Sequence, residues 1–318
     1  MLHVFPVLPL DRQDQVAALI DSARISDGVA PVSEETHLRL PATASRDWLH
    51  LVYVDDGAVV AYAHLDTADP QAPWAELVVA PLSRRRGIGS LLLREMLQRA
   101  PATRVWAHGF LPGTASFAVE QGLHVVRELW QMARPLADLP PGRQLPAGFA
   151  VSTLTPGDER DERDWLAVNA AAFASHPEQG RMTLADLRAR QSEPWFDPAG
   201  FFLVRDERTA DDPATWDGVR GPTPEPGRLA AFHWTKVEHA VGEVYVVGVD
   251  PDYQGLGLGA AATWVGLDHL RAENLQTVTL YVDGDNDAAV ATYRTLGFER
   301  IAVDVQLATR RVPDESAR

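Results

Sequence analysis

Two stretches of this chain are built alike, and any fold assigned to it must use the same device twice. Glu76 to Leu92 reads ELVVAPLSRRRGIGSLL, and Tyr245 to Ala261 reads YVVGVDPDYQGLGLGAA. Each is a Val-rich apolar run, stopped by a Pro and followed by a Gly-rich turn that opens a helix. The spacing also matches: Arg84-Arg85-Arg86-Gly87-Ile88-Gly89 begins three residues after Pro81, and Gln254-Gly255-Leu256-Gly257-Leu258-Gly259 begins three after Pro251. Such a turn aims several backbone N–H groups at one point, and the helix N-terminus adds partial positive charge, so an anionic pyrophosphate can bind there without basic side chains. A tight turn with close helix packing would satisfy the same pattern. The dinucleotide fingerprint does not fit, because its glycines follow the first strand of a fold and these follow the fourth of each half. The Gly-Lys-Ser/Thr of a nucleotide P-loop is absent.

At 318 residues and 46% hydrophobic, the chain can bury two domain-sized cores. Its formal net charge of -15 argues against nucleic acid as a partner, since affinity for phosphate backbones comes from Lys and Arg. With no cysteine, disulfides, thiolate catalysis and Cys-based zinc sites are excluded, and no HExxH-like pair points to a metal. No run of about 18 apolar residues occurs, and the N-terminus MLHVFPVLPLDRQDQ lacks the features of a signal peptide. The expectation is a soluble, cytoplasmic, metal-free monomer that does not engage a membrane. Among 29 basic residues only Lys236 is a lysine, so that one position asks for a specific reason.

Each half yields a similar series of strands and helices. The Pro/Gly-rich stretch Ala133 to Ala150 reads as a linker, which sets the domains at 1–140 and 141–318. Asp206 to Gly227, with four Pro and several Asp, reads as a long exposed loop. The simplest fold class is α/β in the broad sense: two tandem domains, each a mixed, mostly antiparallel sheet flanked by helices.

The repeated turn resembles the acyl-CoA pyrophosphate loop of the GNAT family of N-acetyltransferases. That resemblance implies acetyl-CoA as co-substrate and a splayed pair of strands, with a bulge in the fourth strand whose backbone polarises the thioester carbonyl. By it, Leu77, Val78 and Val79 in the first half, and Val247, Gly248 and Val249 in the second, pair with the pantetheine arm as an added strand would. Arg85, Arg86, Gly87, Ile88, Gly89 and Ser90 would form one pyrophosphate loop; Gln254, Gly255, Leu256, Gly257, Leu258, Gly259 and Ala260 would form the other. Gly248 inside a Val-rich strand fits a bulge, a close backbone approach or a plain weak point.

Acetyl transfer to an amine needs a base for the ammonium proton and an acid for the departing thiolate. Counting back eight residues from each Pro gives Glu243 in the second half but Pro73 in the first. Four residues before the Gly of the last helix–strand junction stand Tyr293 and Ala118 respectively. Glu243 as base and Tyr293 as acid therefore fall in one half only, and the first domain is expected to bind acetyl-CoA without turning it over.

Further motifs, DGVAPVSE, NAAAFASHPEQG, WFDP, FHWTKV, GEVYVVGVDP and LYVDGDN, resemble a tandem branch of this family that acetylates the cysteinyl amine of a cysteine–glucosamine–inositol conjugate. The match implies that Glu34, Glu178, Lys236, Glu243 and Tyr281 contact this small-molecule acceptor, and that Asn286, Asp287, Ala288, Ala289, Val290 and Ala291 lie along the CoA. A compact, rotatable ammonium at Lys236 suits a polyhydroxy acceptor better than a planar guanidinium. Glu34 has a second reading, since Ser33 can cap a helix that starts beside it. Transfer to another amine or to a protein N-terminus, and a non-catalytic acyl-CoA-binding module, are the rival functions.

Overall fold

The computed structural model describes all residues except 43–45, 140, 141, 143, 175, 176, 212–220 and 310–318, and all of the remaining side chains except 177 and 178. In chain order the first series is β1 (Leu2–Phe5), α1 (Leu10–Asp27), α2 (Glu34–Arg39), β2 (Trp48–Asp55), β3 (Ala58–Asp66), β4 (Trp74–Val79), α3 (Ile88–Arg99), β5 (Arg104–Ala107), α4 (Pro112–Glu120) and β6 (Leu123–Pro135). The second is β7 (Phe149–Thr153), α5 (Glu159–Ala172), α6 (Pro177–Gly180), α7 (Leu184–Gln191), β8 (Phe201–Asp206), β9 (Leu229–Glu238), β10 (Val241–Val249), α8 (Leu258–Ala272), β11 (Thr277–Asp283), α9 (Asp287–Thr295) and β12 (Glu299–Thr309).

The chain divides into two compact units. One holds Met1–Trp130, Asp283–Asp285 and Ala302–Arg318; the other holds Gln131–Val282 and Asn286–Ile301. In the first, β1 to β4 pair antiparallel in sequence order, and β4 then meets β5 in parallel. The next strand comes from the end of the chain: Val305, Gln306 and Leu307 of β12 pair antiparallel with Ala107, Trp106 and Val105 of β5. In the second unit β7, β8, β9 and β10 pair antiparallel, and β10 meets β11 in parallel. Each sheet is thus mixed and mostly antiparallel, with one parallel pair.

Alternation along these strands sends apolar side chains to both faces, and helices cover each. In the first unit α3 packs on a core with Leu51, Ala63, Leu65, Leu92 and Met96, and α1 packs on Val52, Tyr62 and Val78. In the second unit Trp165 of α5 sits among Phe201, Phe232 and Trp234, with α8 contributing Leu258 and Ala262 to the other face. Two expectations change. Ala133 to Pro135 belong to β6 rather than to a linker. Asp206 and Arg208 are buried at 0% and 2% exposure, so the stretch expected as an exposed loop begins inside the protein; its residues 212–220 lie outside the described ones.

A buried charged row ties the chain-end strand into the first unit. Asp304 on β12 accepts from His108 Nδ1 at 2.9 Å and from the Gly109 N–H at 2.7 Å. His108 Nε2 donates to Glu76 at 2.8 Å, and both Glu76 oxygens take the Ser33 N–H at 3.0 Å. Burial alone would push the His108 pKa down; hydrogen bonds to Asp304 and Glu76, and their charges, outweigh it and raise it to about 10. Burial also works against the Glu76 carboxylate, yet the bonds from His108 and Ser33 and the imidazolium charge hold its pKa below the ordinary value.

The sign follows from these shifts. His108, raised from 6.5, contributes stability that is full below about pH 6.5 and lost as pH rises through about 10. Glu76 contributes above its ordinary value and loses that contribution as pH falls through its lowered one. Replacing His108→Ala leaves a buried carboxylate without its cation and should cost about 3–5 kcal/mol. Denaturant unfolding of wild type should show stability falling between pH 7 and 10, and His108→Gln should flatten that slope; equal slopes would contradict the assignment.

Candidate active site

The two Gly-rich turns fold identically where the backbone is most demanding. In the second unit Asp250 caps a turn of 3-10 helix over Pro251–Tyr253 through the Asp252 N–H at 3.0 Å, and Gln254 is extended. Gly255 and Gly257 then take φ of +79° and +81°, and no atom comes within 4 Å of a Cβ built on either. Among the described residues the need for glycine is therefore conformational rather than one of space. Gly257 caps α8, whose first helical bond is Ala261 N–H to Gly257 O, so the N–H groups of Leu258, Gly259 and Ala260 point forward without helical partners.

The turn is pinned from behind. Tyr253 is fully buried, and its hydroxyl donates to Asp206 at 3.0 Å. Arg228 bonds Asp250 at 2.9 Å and Asp252 at 2.6 Å. In the first unit Gly87 has φ +80°, but the place of Gly255 is filled by Arg85 at φ +60°, a conformation that costs a side-chain-bearing residue about 1 kcal/mol or more. Its three arginines pair with carboxylates: Arg84 with Asp27, Arg85 with Glu120 and Arg86 with Asp55, at 2.7, 3.0 and 2.9 Å.

Both expected splays are present. The β4–β5 ladder holds only Trp74↔Arg104 and Ala75↔Val105, and the β10–β11 ladder only Gly242↔Val278, Glu243↔Thr279 and Val244↔Leu280. Beyond those pairs the strands diverge, leaving the Leu77–Val79 and Val247–Val249 edges free of that ladder. The bulge lies elsewhere than Gly248. β10 shifts register between Val244 and Val246, so Tyr245 is the extra residue. Gly248 is explained by close packing, since a Cβ there would stand 2.6 Å from Phe232 Cε1. In the first unit β3 and β4 pair in continuous register from Ala61↔Val79 to Asp66↔Trp74.

That bulge corrects the comparison of the two halves. Counting along the chain equates Glu243 with Pro73, but register counts from Val249↔Ala231 and Val79↔Ala61 equate Glu243 with Trp74 and Lys236 with Asp66. The first unit thus carries a buried indole where the second carries a carboxylate. Glu76, two residues further along β4, is a fully buried partner of His108.

Glu243 stands directly opposite Lys236 on β9 and Thr279 on β11, so the three share one sheet face, and Tyr281, two residues on from Thr279, shares it too. Glu243 is half-buried rather than enclosed, and Tyr281 is 44% exposed. Lys236 is 9% exposed; its Nζ lies 3.2 Å from Glu238 Oε2 and over the rings of Trp195 and Tyr245, with centroids at 4.7 and 5.7 Å. These aromatic neighbours were missed in the sequence, although Trp195 opens the quoted WFDP. The helix α7 was missed as well, despite a capping box of Thr183 and Asp186.

Tyr293 on α9 is buried, packs edge-on against Phe298, and has its pKa raised to about 12 by burial. Asn286 caps α9 by accepting the Ala289 N–H at 3.1 Å, Asp287, Ala288 and Ala291 are exposed, and Val290 is buried. Ser33 does cap α2, its hydroxyl accepting the Thr36 N–H at 3.3 Å, and Glu34 is the first helical residue. Glu178 lies in α6 with its side chain outside the described ones.

Known proteins resemble this chain along nearly its whole length. The acetyltransferase (GNAT) family model matches residues 21–119 and 181–298, one stretch in each series. Relatives named mycothiol acetyltransferase include those of Thermomonospora curvata, 50% identical over 92% of this chain and 91% of its own, and of Mycolicibacterium gilvum, 48% identical over 94% and 95%. Among solved structures, a tandem GNAT protein from the clavulanic acid biosynthesis pathway superposes with a TM-score of 0.67 at 21% identity, covering 96% of this chain and 98% of its own. A GCN5-related N-acetyltransferase from Sphaerobacter thermophilus gives 0.64 at 20%, covering 96% and 94%. At those identities the structures speak for the fold alone, and the curated relatives speak for the family. The chain belongs to the acetyltransferase (GNAT) family, as a tandem, acetyl-CoA-dependent acyltransferase.

Proposed function

We propose that this chain is a mycothiol synthase, which moves the acetyl group of acetyl-CoA to the cysteinyl amine of the cysteine–glucosamine–inositol conjugate. The observation that carries the reading is that one unit alone combines the splayed strands and glycine turn with a carboxylate and an ammonium opposed on one sheet face. The names of the relatives point to the acceptor. Glu34, Glu178, Lys236 and Tyr281 are proposed as acceptor contacts, and the protein is read as a cytoplasmic monomer.

The turn with its forward-pointing N–H groups fits an anionic pyrophosphate, and Gln254 to Ala260 would hold it. When bound, acetyl-CoA supplies an activated acyl group as a thioester. Glu243 takes one proton from the acceptor ammonium, the freed nitrogen bonds to the acyl carbon, the carbon–sulfur bond breaks, and the second proton that the nitrogen sheds ends on the departing sulfur. Tyr293 supplies hydrogen to the departing sulfur. Its phenol arrives protonated at any physiological pH, because burial holds its pKa near 12. So weak an acid contributes mainly by hydrogen bonding as charge develops on sulfur. The first unit has Trp74 and Ala118 at the equivalent places and is read as holding acetyl-CoA or CoA without chemistry.

Purified protein given acetyl-CoA and the cysteinyl conjugate should release CoA, faster than with an aminoglycoside, a polyamine or a peptide N-terminus at equal concentration; absence of turnover with the conjugate would sink the reading. Steady-state kinetics should show kcat falling about 10²-fold or more for Glu243→Gln and about tenfold for Tyr293→Phe, with the KM for acetyl-CoA little changed. Unchanged kcat in Glu243→Gln would remove it as the base.

A further inference from the structure

Arg190 on α7 is 8% exposed, and its Nε–H donates to the Tyr245 hydroxyl at 2.9 Å. Its Nη1 also donates to the Asp186 carbonyl at 3.2 Å, so the guanidinium is fixed to the helix that carries it. The Tyr245 ring lies 5.0 Å from Trp195 and 5.1 Å from Trp234. Tyr245 is the extra residue at the register shift of β10, so the contacts of its side chain fix where that shift falls. The consequence of losing the bulge is severe, because a one-residue slip sends each side chain upstream of it to the opposite sheet face. Glu243 lies two residues upstream.

We propose that Arg190 is a positioning residue: with Trp195 it locks the Tyr245 bulge, and the lock keeps Glu243 on the face it shares with Lys236. The same two aromatic rings seat the Lys236 ammonium, so one clamp serves both members of the opposed pair. The proposal rests on the acetyl-transfer reading for what Glu243 does, but not for the lock itself. The first unit agrees with it: β4 has no register shift against β3, and the position equivalent to Lys236 is Asp66.

The test uses full-length wild type, Arg190→Leu, Tyr245→Phe and the double variant. At saturating acetyl-CoA each single change should lower kcat about tenfold and leave the KM for acetyl-CoA within about twofold, and the double should match the worse single rather than the product of the two. Amide hydrogen exchange over residues 241–249, measured on the same proteins without acceptor, should accelerate about tenfold or more in Arg190→Leu while β7 and β8 stay unchanged. Unchanged exchange across β10 overturns the lock whatever the acceptor is. Wild-type turnover with undiminished kcat in both single variants overturns it as well. If wild type fails to acetylate the conjugate, the proposed reaction falls, and the exchange measurement still decides the lock.

Discussion

One extra residue in β10 sets which side chains the second unit presents beside Lys236. With Tyr245 inserted between Val244 and Val246, the strand meets β9 out of step by one on either side of it. Upstream, Glu243 is set opposite Lys236; downstream, Val246 to Val249 run beside a β11 that has turned away. The same place therefore marks where the parallel ladder ends and where the carboxylate is aimed. The first unit, which pairs β3 with β4 without interruption, splays its strands equally well but presents Trp74 where Glu243 would be.

The glycine turns carry less of that difference than their sequences suggest. Both adopt the same backbone, with Arg85 tolerating the left-handed conformation that Gly255 takes without strain. What distinguishes them is the charge nearby: three arginines in the first turn pair with Asp27, Glu120 and Asp55, whereas the second is braced by Arg228 on Asp250 and Asp252 and by Tyr253 on Asp206. Conservation of backbone shape with a change of side chains is what a binding device kept in two units, and catalytic groups kept in one, would leave.

Most of the fold was legible because its signals are local. The apolar, aromatic and β-branched run WLHLVYVD and a Pro at the end of VVGVDP mark strands and their stops, and Gly-x-Gly marks the helix start after each turn. What escaped depends on residues far apart in sequence. The bulge at Tyr245 has no local sign, because Tyr in a Val-rich strand is ordinary; only pairing with β9 reveals it. Gly248 fitted a bulge or a close approach equally by sequence, and the close approach is what the fold has, with Phe232 against it. Trp195, Arg190 and Tyr245 converge from a loop, a helix and a strand, so no motif could join them. Asp304 could not be tied by sequence to His108, almost 200 residues earlier, although that contact fastens the chain-end strand to the first unit.

In the proposed reaction, chemistry belongs to the second unit, at the carboxylate beside the bulge. A crystal structure with CoA and the cysteinyl conjugate tests it most directly. The acceptor nitrogen should lie within hydrogen-bonding distance of the Glu243 carboxylate, with pyrophosphate on the N–H groups of Gln254 to Ala260. An acceptor nitrogen seated beside Trp74 in the first unit, with the second glycine turn empty, would contradict it.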